Sequence, residues 1–332
     1  MRHAIITAFL GKLRDRFCEY HEPRTLVEKL EFMARIPGIS GAEIVYPGEV
    51  DTVPVMKEAL SRLGLSIAAI NVNIKGDPVF VNGALSSPDP KVRAKAVEFI
   101  KGGKDIAAAM GADKITCAPL NDGYDYCFQS DYRIAWQRMV ETVREAAAYR
   151  PEVPLFLEYK ASEPRVRCYL DSTAKTLVFL DAVGNDKIGI TLDIGHAIYG
   201  GESPAESLAQ ISMSGHPYYI HINDNNGKWD WDLMAGTYNL WNYIEFLFYL
   251  KELGYEGWLT SDTSPVRQDS HETFAFNVRI TNRIWEWLDS MDSEYVRACL
   301  EKHEFMNILK HFEPHLFGSA GRQSAGTALR AH

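Results

Sequence analysis

Eight short apolar runs, each followed by a longer stretch with helical periodicity, recur through roughly the first 290 residues of this 332-residue chain. The runs are AIITAFL (4–10), GAEIVYP (41–47), SIAAINVN (66–73), ADKITCAPL (112–120), PLFLEYK (154–160), IGITLDIG (188–195), YYIHIND (218–224) and GWLTSD (257–262). Helical segments separate them near 24–36, 52–64, 89–111, 130–149, 172–184, 204–213, 239–254 and 272–289. Parallel strands need a crossover between them, so eight β–α repeats predict an α/β chain closed into a single (β/α)8 TIM barrel; the rival is a doubly wound open sheet. Such barrels take about 250 residues, which leaves a C-terminal extension. The expected division is a barrel domain over 1–311 and a small, polar tail over 312–332, either flexible or an oligomer contact.

Two helix starts carry local chemistry. Asp89-Pro90 supplies an N-cap and a proline at the first helical position. Ser203-Pro-Ala-Glu206 reads as a capping box, hydroxyl and carboxylate satisfying each other's orphan amides.

A barrel of this kind carries its chemistry at the C-terminal ends of its strands. There the fifth run ends in Glu158 and Lys160, and the sixth in Asp193, followed by His196. The seventh carries His221 and Asn223, with Asp230 and Asp232 in the loop beyond, and the eighth ends in Asp262. Side chains two apart on a strand share a face, so Glu158 with Lys160, and His221 with Asn223, point the same way. If their loop is extended, Asp230 and Asp232 share a direction, with Trp229 and Trp231 opposite. Five carboxylates in one pocket repel unless cations neutralise them, and two divalent ions nearly balance five negative charges. Oxygen donors with a histidine or two suit Mn²⁺, Mg²⁺ or Co²⁺ better than zinc. None of the five cysteines stands in these motifs, and none forms a CxxC pair, so the expected setting is reduced and cytoplasmic.

LFLEYK, TLDIGHA, YIHINDNNGKWDWDL and LTSDTSP resemble, in order and strand position, the metal motifs of xylose isomerase-like barrels. The loop DGYDYCFQ (122–129) resembles the L-rhamnose isomerase branch in particular. The resemblance implies one metal held by Glu158, Asp193, His221 and Asp262, and a second by His196, Asp230 and Asp232. It also implies that Lys160, Asp232 and His196 act in catalysis, and it raises a homo-oligomer, dimer or tetramer, as an expectation. Trp229 and Tyr124 are candidates to stack on a sugar, Asn71 and Asn73 stand at the end of the third run, and His21 stands after the first. No histidine lies between His21 and His196. Ring opening, where the resembled enzymes use a histidine near the second or third strand, therefore falls to His21, to a water, to an acid such as Glu43, or is not needed.

The implied reaction is aldose–ketose interconversion of a free monosaccharide by a metal-assisted hydride shift between C1 and C2. An alternative is 3-epimerisation of a ketose with a single metal. A third reading, a metal-dependent phosphodiesterase of the abasic-site endonuclease type, needs a basic surface, whereas the net charge is −9. That charge disfavours nucleic acid and anionic membrane as partners, and no run approaches the roughly 20 apolar residues of a membrane helix.

Overall fold

A computed structural model describes residues 1–317. Eight parallel strands close into a barrel in chain order: Arg2–Ile6, Ile39–Tyr46, Ser66–Val72, Ile115–Cys117, Leu155–Glu158, Ile188–Asp193, Tyr218–Ile222 and Trp258–Ser261. Every apolar run read from the sequence overlaps one of them, the first two strands beginning two residues before their runs. The first strand is shorter than its run, because Thr7–Leu10 turn into a 3₁₀ helix. Arg2 pairs with Trp258, which joins the last strand to the first and rules out the open sheet.

The N-terminal half of the barrel is filled by large rings set against very small residues. Ala4, Ala68, Ala69, Phe156, Tyr219 and Trp258 form one buried cluster. Gly41 makes room for it: a Cβ there would lie 2.5 Å from the Trp258 ring. Above this plug the interior turns polar, with the Thr116 and Thr191 hydroxyls bonded at 2.7 Å across the barrel.

Helix caps follow the local sequence. Asp89 caps Pro90–Met110 by accepting from Lys91 N. Ser203 accepts from Glu206 N at 3.4 Å, but no return bond from the Glu206 carboxylate is present, so the expected box is one-sided. A complete box occurs instead at Thr25 and Glu28, opening Leu26–Met33. The loops after the fourth and fifth strands are not loose. Gly123–Tyr124, Ser162–Glu163 and Val166–Cys168 pair into a small antiparallel sheet.

Met1–Asn282 form one compact unit and Arg283 begins a second. Within the second, Ser293–Glu301 and Phe305–Phe317 are helical, and Trp287 meets Phe312 edge-on at 5.0 Å. Residues 312–317, expected in a tail, thus close a helix; the remainder of that tail, 318–332, lies outside the described residues. All five cysteines are free. Among the described residues no helix is long and apolar enough to cross a membrane.

Candidate metal centre and active site

The fifth to eighth strands each deliver an acid or imidazole to the same end of the barrel. Glu158 is the last residue of its strand, and Asp193 ends the next, where its Oδ1 accepts from His196 N at 2.8 Å and so caps Ile194–Tyr199. That short helix sits close to the seventh strand because position 195 is glycine: its N–H donates to Asn223 Oδ1 at 2.6 Å, where a Cβ would come within 2.5 Å of the same oxygen. Asn223 returns Nδ2 to Asp193 Oδ2 at 3.0 Å, so the carboxylate is held from both sides.

Glu158, Asp193, His221 and Asp262 place one ligand atom each within 4.8 Å of one another. His221 is oriented from behind by Glu43, a fully buried acid of the second strand, whose Oε2 lies 3.1 Å from His221 Nε2. Glu43 also accepts from Tyr219 Oη at 2.7 Å and from Asn71 Nδ2 at 2.8 Å. A carboxylate on Nε2 favours the tautomer with its proton there and leaves Nδ1 as a lone pair. Nδ1 faces Glu158 Oε1 at 3.4 Å, Asp262 Oδ2 at 3.4 Å and Asp193 Oδ2 at 4.0 Å, and it has no hydrogen-bond partner. A lone pair turned onto three carboxylates is repulsive unless a proton or a cation lies among them. The residues therefore fit a divalent ion, and one imidazole with three carboxylates fits an oxygen-preferring ion.

His196 repeats the pattern on the other side of Glu158. Its Nε2 lies 3.1 Å from Asp230 Oδ2, and its Nδ1, also without a hydrogen-bond partner, lies 3.3 Å from Glu158 Oε1. Glu158 is thus the hinge between two half-sites. The second is less assembled. Asp230 Oδ2 also pairs with Lys160 Nζ at 2.7 Å, and Lys160 is held in turn by Glu163. Asp232 lines the same cavity, its backbone in the left-handed region at φ 49°. Such a conformation is uncommon outside glycine and clusters at functional sites. Among the described residues His196, Asp230 and Asp232 do not converge as the first set does.

Electrostatics show a pocket short of positive charge. Burial alone would lower both imidazoles, yet the acids around them hold His196 up at about 10 and His221 well above its ordinary value. Against burial, His221 and His196 hold Glu158 down at about 2, while His196 and Lys160 hold Asp230 low. For the remaining acids the same imidazoles and Lys160 do not offset the loss of solvent. Burial and neighbouring carboxylates push Asp193 up to about 7 and raise Asp232 and Asp262. Protonated imidazoles and acids are the response that a bound divalent ion replaces.

These groups open into a cavity of about 400 Å³, which Asn71, Asn73, Lys75, Asn121 and Glu163 also line. Three residues expected at a substrate lie elsewhere. His21 Nε2 bonds to Pro265 O at 2.5 Å, outside the lining. Trp229 packs edge-on against Tyr199 at 5.6 Å and carries Lys160 Nζ 5.9 Å over its ring, so it braces the lysine rather than lining the cavity. Tyr124 belongs to a neighbouring cavity. Glu43, buried against His221 and Tyr219, is no candidate for ring opening; it positions a histidine. The sequence offers Glu43 only as a ring-opening acid and not in this positioning role, and Lys75, Asn121 and Glu163 carry no signal there. The available signal for Glu43 was an acid in the middle of an apolar strand.

Residues 30–280 match the model of the xylose isomerase-like TIM barrel family. A xylose isomerase of Thermus thermophilus is 28% identical over 222 residues, covering 65% of this chain and 57% of its own length. One of Thermus caldophilus is 27% identical over 233 residues, covering 68% and 60%. The chain therefore spans about three fifths of the length of these curated relatives. Among solved structures, a D-tagatose 3-epimerase-like protein superposes with a TM-score of 0.70 at 22% identity, over 87% of this chain and 99% of that one.

Proposed function

This chain belongs to the xylose isomerase-like TIM barrel family, and from that premise we propose that it is a divalent-metal-dependent aldose–ketose isomerase of a free, non-phosphorylated sugar. The observation that carries the reading is Lys160, buried and clamped between Asp230 and Glu163 beside the four-ligand cluster. Epimerisation at C3 needs only proton acceptors on two faces of the substrate. A fixed cation next to the reacting carbons suits a reaction in which a carbonyl oxygen gains charge.

Glu158, Asp193, His221 and Asp262 would hold one ion, and His196, Asp230 and Asp232 a second that borrows Glu158. Mn²⁺, Mg²⁺ or Co²⁺ bound there supplies Lewis acidity toward the sugar oxygens. The protein's own groups do the rest. Burial would lower Lys160, but Asp230 and Glu163 hold it well above its ordinary value, so it acts as a permanent hydrogen-bond donor to the carbonyl oxygen and not as a base. Asp232, which lines the cavity, would take the hydroxyl proton from C2, directly or through a water. As that proton leaves, the hydrogen on C2 passes to C1 with its electron pair, C2 becomes the ketone, and the proton taken up by Asp232 or its water returns to the C1 oxygen. Asn71, Asn73 and Lys75 present donors to the remaining hydroxyls.

The single converged cluster, together with the likeness in fold to an epimerase-like protein, favours a second reading, 3-epimerisation with one ion. One experiment separates the two. Mn²⁺-loaded protein is incubated with aldoses and ketoses in heavy water and followed by NMR. C1–C2 interconversion with little solvent deuterium supports the isomerase, and deuterium entering at C3 supports the epimerase. Lys160→Met should lower isomerisation about 10²–10³-fold, the effect typical of losing one preorganised donor. Full turnover in that variant would refute the role of Lys160.

A further inference from the structure

The polar cleft does not stop at Lys160. A second cavity, of about 640 Å³, adjoins the first, and Asn121 and Glu163 line both. Its wall includes Gly123, Tyr124, Glu163 and Val166, from the small antiparallel sheet that ties together the loops after the fourth and fifth strands. That sheet is tightly built. A Cβ on Gly123 would lie 2.1 Å from Arg167 O, and Tyr169 N donates to Asp122 O at 2.8 Å. The cavity is therefore held by paired backbone rather than by a free loop.

Its chemistry is that of a carbohydrate site. Tyr124 offers a part-exposed ring, backed by the buried Tyr169 ring with centroids 6.0 Å apart, and sugars present apolar C–H faces to such a ring. Around them stand hydrogen-bonding groups left over by the fold. Gln129 Oε1 accepts from Asp125 N and Tyr126 N, leaving its amide nitrogen for another acceptor. Among the described residues the side chains of Arg138 and Asn82, which also line the cavity, make no hydrogen bond within the protein. Charges nearly cancel, with Arg138 and Arg165 against Asp125, Asp131 and Glu163, so an anionic ligand gains nothing here.

We propose that this cavity is a second subsite, for a neutral polyhydroxylated ring. The substrate is then a glycoside whose reacting sugar lies over the metal ligands and whose second sugar, attached away from C1 and C2, lies against Tyr124. This rests on the reading of the first cavity as a sugar site.

The test is calorimetric titration of Mn²⁺-loaded protein with D-xylose, D-glucose, maltose, cellobiose and lactose, whose reducing ends keep C1 and C2 free. At least one disaccharide should bind about ten-fold or more tighter than glucose. The double variant Asn82→Ala/Arg138→Ala should abolish that gain while leaving glucose affinity within about two-fold. Equal affinity for both lengths, or a gain that survives in the double variant, overturns the subsite but leaves the isomerase reading standing. Binding of Mn²⁺ with no sugar of either length overturns the sugar reading itself. Dissociation of an oligomer by the double variant, seen on size exclusion, overturns the subsite by making this cavity a protein interface.

Discussion

The two ends of the barrel solve opposite problems. At the N-terminal end, Trp258 and Phe156 fill space against Gly41, Ala4, Ala68 and Ala69, every group apolar and buried. At the C-terminal end the strands and the segments that follow them gather five acids, two imidazoles and a lysine at or next to one cavity, with two imidazole nitrogens and an Asp230 oxygen buried without partners. The first arrangement is satisfied by the protein alone. The second is satisfied only when protons or a cation lie among the acids. One end supplies stability and the other stores an electrostatic demand, and the Tyr219–Glu43–His221 chain joins them.

If the division is real, damage to the plug must be felt as lost stability and nowhere else. Trp258→Ala removes a ring only 3% exposed and leaves a hole beside Gly41, which should reduce unfolding free energy by about 3–5 kcal/mol in urea melts. The Mn²⁺ affinity of the protein that remains folded should stay within about two-fold. A matching fall in affinity would show that the two ends are one cooperative structure.

The joining residue should give a smaller, opposite result. Glu43→Gln keeps the shape but cannot accept hydrogen bonds at both ends, so Asn71 on one side, or Tyr219 and His221 on the other, faces an amide donor. Loss of such an orienting partner typically lowers metal affinity about 10–100-fold. Calorimetric Mn²⁺ titration would read it, and unchanged affinity would mean that His221 is positioned by packing alone.

Glu43 also marks where sequence reading stops. Periodicity located all eight strands, because a strand buried on both faces is written in consecutive residues. The acids of the four-residue cluster were legible because strand ends in a barrel face one way. The partner of Glu43 lies 178 residues along the chain, and only barrel closure brings it to His221. Lys160 was read without Glu163, since nothing local says that the loop folds back into a small sheet. His21 and Trp229 failed as cavity residues for the same reason. The helix Ile194–Tyr199 is six residues long, too short to show a period.

The smallest effect tests the comparison outside both ends. Lys104 is fully buried like the plug yet charged like the rim, and its Nζ meets only the carbonyls of Ala147 at 3.1 Å and Tyr149 at 2.7 Å. Lys160, surrounded by carboxylates, is held protonated, whereas burial lowers Lys104 to about 8. An unfolded lysine keeps its proton to about 10.4, so between these values the unfolded chain binds more protons, and stability rises with pH. Below about 8 both states are protonated and the burial penalty is present in full. The wild type should therefore gain about 1 kcal/mol over Lys104→Met between pH 7 and 9, measured as the difference of their urea-unfolding free energies. A difference that stays flat across that range would mean that the two carbonyls stabilise the ammonium as well as water does, and a buried lysine would then not need the acids of the rim to keep its charge.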